Sequence, residues 1–421
     1  MSAARTIDPA FSVVPDAKPS HNHAPWLTKA IVYAPLVAAT ALAKFSLPGL
    51  TSIGGMLVPV VILVLALGLA TGRLRPVPKR FAIFLLMLSV LSLVQVLRGE
   101  RFSIPSLIMM AVICFAYVPA AYDGVVTNED AERFFRNLTF TIAVAGIVQF
   151  GLQFVAGIAV AFPIEHFVPE SLRTHGYNDM NVLSYGSNIY KANGFVMLEP
   201  SVFCQLSALG LTAELIHKSR GWRLAAYAGA IVVSYSGTGL LILAVTLPML
   251  LVLHRRWDLL VRGLVLVALL AVLVEPLHLD VTLRRMTEFN SSGSSAFVRF
   301  VGWMTLFADK LWTDPARALF GYGSGSFFDM SIGYRAGEMA HAKIIFEFGV
   351  LGALLYFTFI GYCVMNARTP LVLRIGLLVA YFMNAAYSPS VTGIVCSLLL
   401  WPGPAPSPTP APSRRQVVQH A

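Results

Sequence analysis

Charge is what this chain has least of. Only 12% of its 421 residues are Asp, Glu, Lys or Arg, while 57% are hydrophobic. Soluble domains carry about a quarter charged residues, so the sequence cannot cover an ordinary water-facing surface. Cysteine is scarce as well. Cys114, Cys204, Cys363 and Cys396 all lie in apolar stretches and show no CxxC spacing, which excludes a disulfide framework and a thiolate metal site. Metal–nucleotide chemistry has no DxD-like pair in any loop, and the glycine-rich "GYGSGSF" (321–327) has no Lys-Ser/Thr after it and no strand before it, so it is no phosphate loop. It reads as a tight turn at a membrane surface. No repeat recurs at a period of 20–50 residues, and no basic-apolar-small leader opens the chain, whose residues 1–25 are polar.

Long apolar runs are what the chain does have. Mean hydropathy is +0.71, and stretches near 20 residues recur along nearly the whole length. The expectation is an all-α, polytopic membrane protein with about 12 spans. They fall near 30–47, 52–71, 81–97, 104–121, 137–162, 196–216, 224–235, 238–253, 259–276, 341–365, 371–387 and 391–401. The seventh and eighth form one apolar stretch of about 30 residues, a helix of about 45 Å against a hydrocarbon core of roughly 30 Å. A break at Gly237 and Gly239 in "SYSGTG" is therefore expected, giving two short helices or a re-entrant pair.

Arginine and lysine set the orientation. Arg73, Arg75, Lys79 and Arg80 follow span two. Lys218, Arg220 and Arg223 follow span six, Arg255, Arg256 and Arg262 span eight, and Arg368 and Arg374 span ten. With twelve spans all these clusters fall on one side, together with both termini, which are expected to be cytoplasmic. The net charge of +10 is then a matter of topology, and no nucleic-acid partner is implied. Residues 1–29 form a cytoplasmic segment, 30–401 the membrane domain, and 402–421, with "PGPAPSPTPAPS", a disordered PPII-like tail. Two long segments face outward, about 163–195 and about 277–340. The second includes helical stretches.

The polar side chains worth chemistry lie in or beside those outer segments. Arg284, Arg285 and Arg299 flank "NSSGSSAF", and Arg299 sits on an amphipathic stretch, "AFVRFVGWMTLFADKLW". Guanidinium forks bind phosphate oxygens. Lys310, Arg317 and Arg335 read as charges of a solvated loop, balanced by acidic neighbours. His341 opens the tenth span. Two readings stand: an interfacial polar residue, or a general base for a sugar hydroxyl. Glu347 lies six residues further, about 120° around the helix. A carboxylate at membrane depth marks a functional hypothesis. Gly349 and Gly352 read as close-packing positions. Lys191 and Glu199 flank "YKANGFVMLEPSVF" at the start of the sixth span. Pro200 there predicts a kink or a late helix start.

Four stretches together resemble the bacterial O-antigen ligase and O-antigen/exopolysaccharide polymerase superfamily. "KANGFVMLEPSVF" is similar to its basic-x-x-Gly-Phe…Glu-Pro segment, with Lys191 where arginine is usual. "SYSGTGLL" resembles its Ser-Arg-Thr/Ser-Gly break, with Gly237 in place of arginine. "FVRFVGWMTLF" followed by "LFGYGSGSF" resembles its Arg-x-x-x-Trp helix and Gly-x-Gly turn. "HAKIIFEFGVLG" resembles its His…Glu-x-Gly-x-x-Gly span, with Ala342 where Asn is common. The resemblance runs from about 140 to 365. The first four spans and the tail match in hydropathy alone.

The resemblance implies a metal-independent membrane glycosyltransferase of the inner membrane, acting at the periplasmic face without a cofactor. Its donor is an oligosaccharide carried on undecaprenyl pyrophosphate. His341 becomes the candidate base or acceptor-orienting residue, and Arg299 and Lys191 the candidate pyrophosphate ligands. Arg284 and Arg285 are further phosphate candidates from their position, and Glu199 and Glu347 supporting residues. Polymerisation of repeat units is the favoured activity. Ligation of finished chains to lipid A core, or transport without bond chemistry, are the alternatives. A flippase and chain-length or export proteins are the implied protein partners.

Overall fold

The computed structural model describes residues 24–49, 55–98, 102–184, 186–217, 220–258 and 294–403. The expected span at 259–276, Arg284 and Arg285 lie outside the described residues, as does the Pro-rich tail beyond Gly403.

The described chain is mostly helical. Its helices are α1 (Pro25–Thr40), α2 (Leu57–Ala70), α3 (Pro78–Arg98), α4 (Ile104–Phe115), α5 (Asn128–Val155), the short α6 (Ile158–Ala161) and α7 (Pro163–Phe167), α8 (Pro200–Ile216), α9 (Gly221–Ser234) and α10 (Thr238–Leu253). After the gap come α11 (Ser295–Phe300), α12 (Gly302–Leu306), α13 (Pro315–Phe320), α14 (Ser326–Tyr334), α15 (Ala340–Met365), α16 (Leu371–Phe382) and α17 (Pro389–Val395). α17 continues as one π-turn through Cys396–Leu400. Three of these, α3, α5 and α15, are long and apolar enough to cross a membrane. Six more apolar helices are shorter, among them α2, α4, α8 and α10.

Helix starts follow local rules. Proline occupies the first turn of α1, α4, α8, α13 and α17, where its missing N–H costs nothing. Thr127 and Asp130 form a reciprocal capping box on α5, with amide-to-side-chain distances of 3.2 Å each way, worth about 1 kcal/mol. Pro200 delays the start of α8, as its sequence context predicts. The break in "SYSGTG" falls at Tyr235–Gly237, slightly earlier than expected, and Gly239 lies inside α10 against Cys204.

The ends of the longer described helices collect at two ends of the bundle. At the first, Leu74–Pro76 pairs antiparallel with Pro119–Ala121. Arg256 Nη1 donates to the Leu215 carbonyl (2.6 Å), His217 meets Glu132 (2.7 Å), and the wholly buried Trp401 donates its indole N–H to the Ala116 carbonyl (2.8 Å). The described members of every basic cluster sit here, and we call it the basic end. At the opposite end, Lys44 pairs with Glu165 in the 156–199 segment. The Ser103 amide donates to Ser324 O (2.7 Å) and the Ala340 amide to Asn384 O (2.9 Å). The core runs between the two as one large apolar cluster, with a small second one of Leu215, Leu250 and Val372.

The longest helix of the second half is interrupted. Gly349 has φ +68° inside α15, a conformation natural only to glycine. The break frees two carbonyls. Phe346 O accepts from the Tyr322 amide and Glu347 O from the Gly323 amide, each at 2.9 Å. The turn after α13 therefore docks into the break, and the Tyr322 ring stacks on Phe346 at 4.7 Å. This corrects one expectation: "GYGSGSF" is packed inside the protein rather than laid over a membrane surface. Gly349 serves the close packing expected of it, at a break in α15 that the turn enters. The amphipathic stretch around Arg299 is also interrupted, at Val301, and ends in a π-turn at Phe307–Leu311.

A methyl group at Gly349 would lie 2.3 Å from the Leu319 backbone. Gly349→Ala is expected to lose about 2–4 kcal/mol of stability from strain and displaced backbone. Gly361→Ala, on the same helix with open space around it, should be neutral or gain up to about 1 kcal/mol. Thermal unfolding of both detergent-purified variants checks the contrast.

Candidate functional site

The polar residues of the end opposite the basic clusters converge from four stretches. Arg299 lies on α11, and its Nη2 reaches Glu199 Oε2 at 3.0 Å and Ser201 Oγ at 3.3 Å. Ser201 Oγ also donates to Glu199 Oε2 (2.8 Å). Glu199 is the residue before Pro200 and leaves the helix uncapped. Its side chain turns to the arginine instead. One predicted pyrophosphate ligand and one predicted supporting residue, 100 positions apart, are thus an ion pair. Among the described residues the contacts of Arg299 use Nη2, which leaves Nε and Nη1 as donors.

One turn beyond Arg299, Trp303 packs its ring edge-to-face on His341, with centroids 5.1 Å apart and planes at 82°. The Gly337 amide donates to Val298 O at 2.7 Å. These two contacts hold the Arg299 helix beside the start of α15. His341 is half-buried. The backbone of Phe382, at the end of α16, stands within hydrogen-bonding reach of its ring. An N–H given to that carbonyl leaves the second ring nitrogen as an acceptor, the arrangement a general base requires.

Glu347 is fully buried. Lys343, one turn earlier, is 3.9 Å from its Oε1, and the same ammonium donates to Glu338 Oε2 at 2.6 Å. The amides of Gly325 and Phe327 approach the Glu347 carboxylate without reaching strict hydrogen-bond geometry. Lys343 also lies 5.8 Å from the centre of the Tyr387 ring. Tyr177, from the 156–199 segment, lies close enough to feel both Glu199 and Glu338.

Lys191 is placed differently from expectation. It is only 3% exposed. Its stretch is wedged between α5 and the end of α9: Gln153 takes the Tyr190 amide (2.8 Å), Gln149 takes the Asn193 amide (2.9 Å), and the Ala192 amide donates to Val233 O (3.0 Å). A buried lysine is a poor open phosphate ligand, and the physical cause is this backbone anchoring. Of the residues expected to be loop charges, Arg317 covers the Tyr322 ring at 4.2 Å and pairs with Asp314 (3.3 Å).

Sequence reading missed Trp303, Ser201, Glu338 and Tyr387 as neighbours of the site, and left Lys343 without a role. The i, i+4 spacing of Lys343 and Glu347 was a usable signal. Of the five described non-glycine residues with positive φ, Phe195, Tyr235, Arg335 and Tyr387 (φ +65°, +45°, +50° and +57°) lie toward this end, and Arg255 (φ +51°) lies at the basic end; each costs about 1 kcal/mol or more. Such outliers gather where function over-determines geometry. Among the described residues no group of three His, Cys, Asp or Glu is placed to hold a metal ion.

Removing the Lys343 charge strands two carboxylates. Lys343→Met is expected to lose about 2–4 kcal/mol, and adding Glu347→Gln should recover more than half of that loss. Melting temperatures of the two single variants and the double variant test this coupling.

No family model matches the chain, and no curated protein or solved structure is significantly similar to it.

Proposed function

We propose that this protein is a membrane glycosyltransferase that polymerises oligosaccharide repeat units carried on undecaprenyl pyrophosphate. The observation that carries the reading is the meeting of Arg299, Glu199 and Ser201 with Trp303 and His341 at the end opposite the basic clusters. Positive-inside bias puts the basic end, and both termini, in the cytoplasm. The candidate site then faces the periplasm from the bacterial inner membrane, where a lipid-held donor meets a water-exposed sugar. About twelve spans belong to this reading; three long helices and six shorter apolar ones among the described residues support a multi-span chain.

The chemistry follows from the side chains. An acceptor hydroxyl attacks the anomeric carbon of the donor and inverts it. The acceptor proton passes to the free nitrogen of His341. The bond from the anomeric carbon to the pyrophosphate oxygen breaks, and negative charge grows on the departing diphosphate. Arg299 is positioned to receive that charge with the donors its pair with Glu199 leaves unused. Glu199 and Ser201 keep the guanidinium extended before substrate arrives. In this scheme the Lys343–Glu347 cluster fixes the backbone that presents His341, and Lys191, buried in the segment before α8, takes no direct part. Flippase and export components are the expected partners in the cell.

His341→Ala and Arg299→Ala should each lower transfer about 10²–10⁴-fold with protein level and membrane insertion unchanged. Gel analysis of polymer in a complemented deletion strain measures this, and normal polymer from both variants would overturn the assignment. The deletion strain itself separates the two transfer reactions. Accumulated single lipid-linked repeats are expected. Free long polymer beside unsubstituted lipid A core would identify a ligase instead.

A further inference from the structure

The basic end holds a second built cleft, remote from the candidate transfer site. It is an open cavity of about 230 Å³ lined by Arg136, Asn137, Glu214, Arg220, Trp222 and Arg223. Its floor is Glu214, wholly buried on α8. That carboxylate holds two guanidiniums in place: Arg223 Nε donates to Oε1 at 2.7 Å, and Arg136 Nη1 lies 3.5 Å from Oε2. Arg223 is fixed further. Its Nη2 donates to the Arg136 carbonyl (3.0 Å) and to Asn137 Oδ1 (3.2 Å), and its plane covers the Phe140 ring at 4.4 Å. Arg220 adds a third, exposed guanidinium that makes no ion pair among the described residues. Three arginines against one carboxylate leave two formal positive charges. The N-terminus of the 14-residue α9 opens at the same point and adds partial positive charge.

The walls say which anion this cleft suits. Trp222 is 56% exposed at its rim and packs edge-on against Phe140 at 4.9 Å. Asn137 lies on the outward face of α5, which continues away from the cleft through Thr141, Val144 and Val148, all exposed. α5 is one of the three helices able to cross a membrane. A soluble anion would have no use for that apolar stripe. A phosphodiester with acyl chains would lay its headgroup on the arginines and its tails along the stripe, with Trp222 at the interface. The geometry points to a binding site for an anionic glycerophospholipid at the Arg136–Arg220–Arg223 cleft. This inference requires only that α5 spans a membrane, and stands whether or not the glycosyl-transfer reading holds.

Native mass spectrometry of the full-length protein in detergent, titrated with dioleoyl phosphatidylglycerol or dioleoyl phosphatidylcholine, tests it. The expected result is tighter retention of phosphatidylglycerol. Arg220→Gln, which disturbs no packed contact, should weaken that retention about fivefold, the worth of one basic residue near a lipid phosphate. Arg75→Gln, an exposed arginine at the same end outside the cleft, should leave it unchanged. Equal retention of the two lipids would overturn the site, as would an equal loss in both variants, which marks diffuse surface attraction. Displacement of the lipid by millimolar inorganic phosphate would show a site for the free ion and would also overturn it.

Discussion

The two hydrogen bonds from the Tyr322 and Gly323 amides to Phe346 O and Glu347 O are the fastening on which the candidate site depends. A helix broken at membrane depth cannot leave its carbonyls bare, because no water is there to take them. Gly349 breaks α15, and the turn after α13 enters the gap. Gly321 and Gly349 make this possible, since a side chain at either would strike the opposing backbone within 2.4 Å. The 294–340 segment is thereby pinned to the helix that carries His341, and Arg299 and Trp303 arrive beside it.

Charge in this bundle obeys the same economy. Lys44 and Glu165 are both nearly inaccessible and pair with each other. Glu214 holds two arginines, Lys343 serves two carboxylates, and Arg299 rests on Glu199. Burying an ion without such company is far costlier than pairing it. The two ends differ in what remains over. At the basic end arginines outnumber their acids and leave positive charge for an anionic surface. At the other end the described cations and carboxylates are nearly matched, in the Arg299–Glu199 and Lys343–Glu338–Glu347 groups. Strained residues at that end, Phe195, Tyr235, Arg335 and Tyr387, hold the connecting backbone in shapes that helix propensity would not choose.

Local patterning made much of this legible in advance. The helical class follows from apolar runs that have to satisfy their own backbone. The late start of α8 follows from Pro200, and the interruption between α9 and α10 from "SYSGTG". The gathering of the described basic clusters at one end follows from loop charge. His341 and Arg299 stood out as polar residues at apolar edges, and contacts through Trp303 and Val298 bring their elements together. What stayed hidden was long-range. Nothing in "YKANGF" announces that Gln149 and Gln153 on α5 will anchor the backbone on either side of Lys191. "GYGSGSF" looks like any exposed turn until the Tyr322 and Gly323 amides are seen filling a break in a later helix, at Phe346 O and Glu347 O.

The sequence alone determined that these helices are apolar, where several begin, and which ends gather basic charge, because propensity, capping and hydropathy act over a few neighbouring residues. Tertiary structure alone decided that Glu199 would meet Arg299, that Trp303 would face His341 and that Glu214 would organise an arginine cleft. Those partners lie on different elements, and their pairing is settled by which buried polar group can find another when the helices close together.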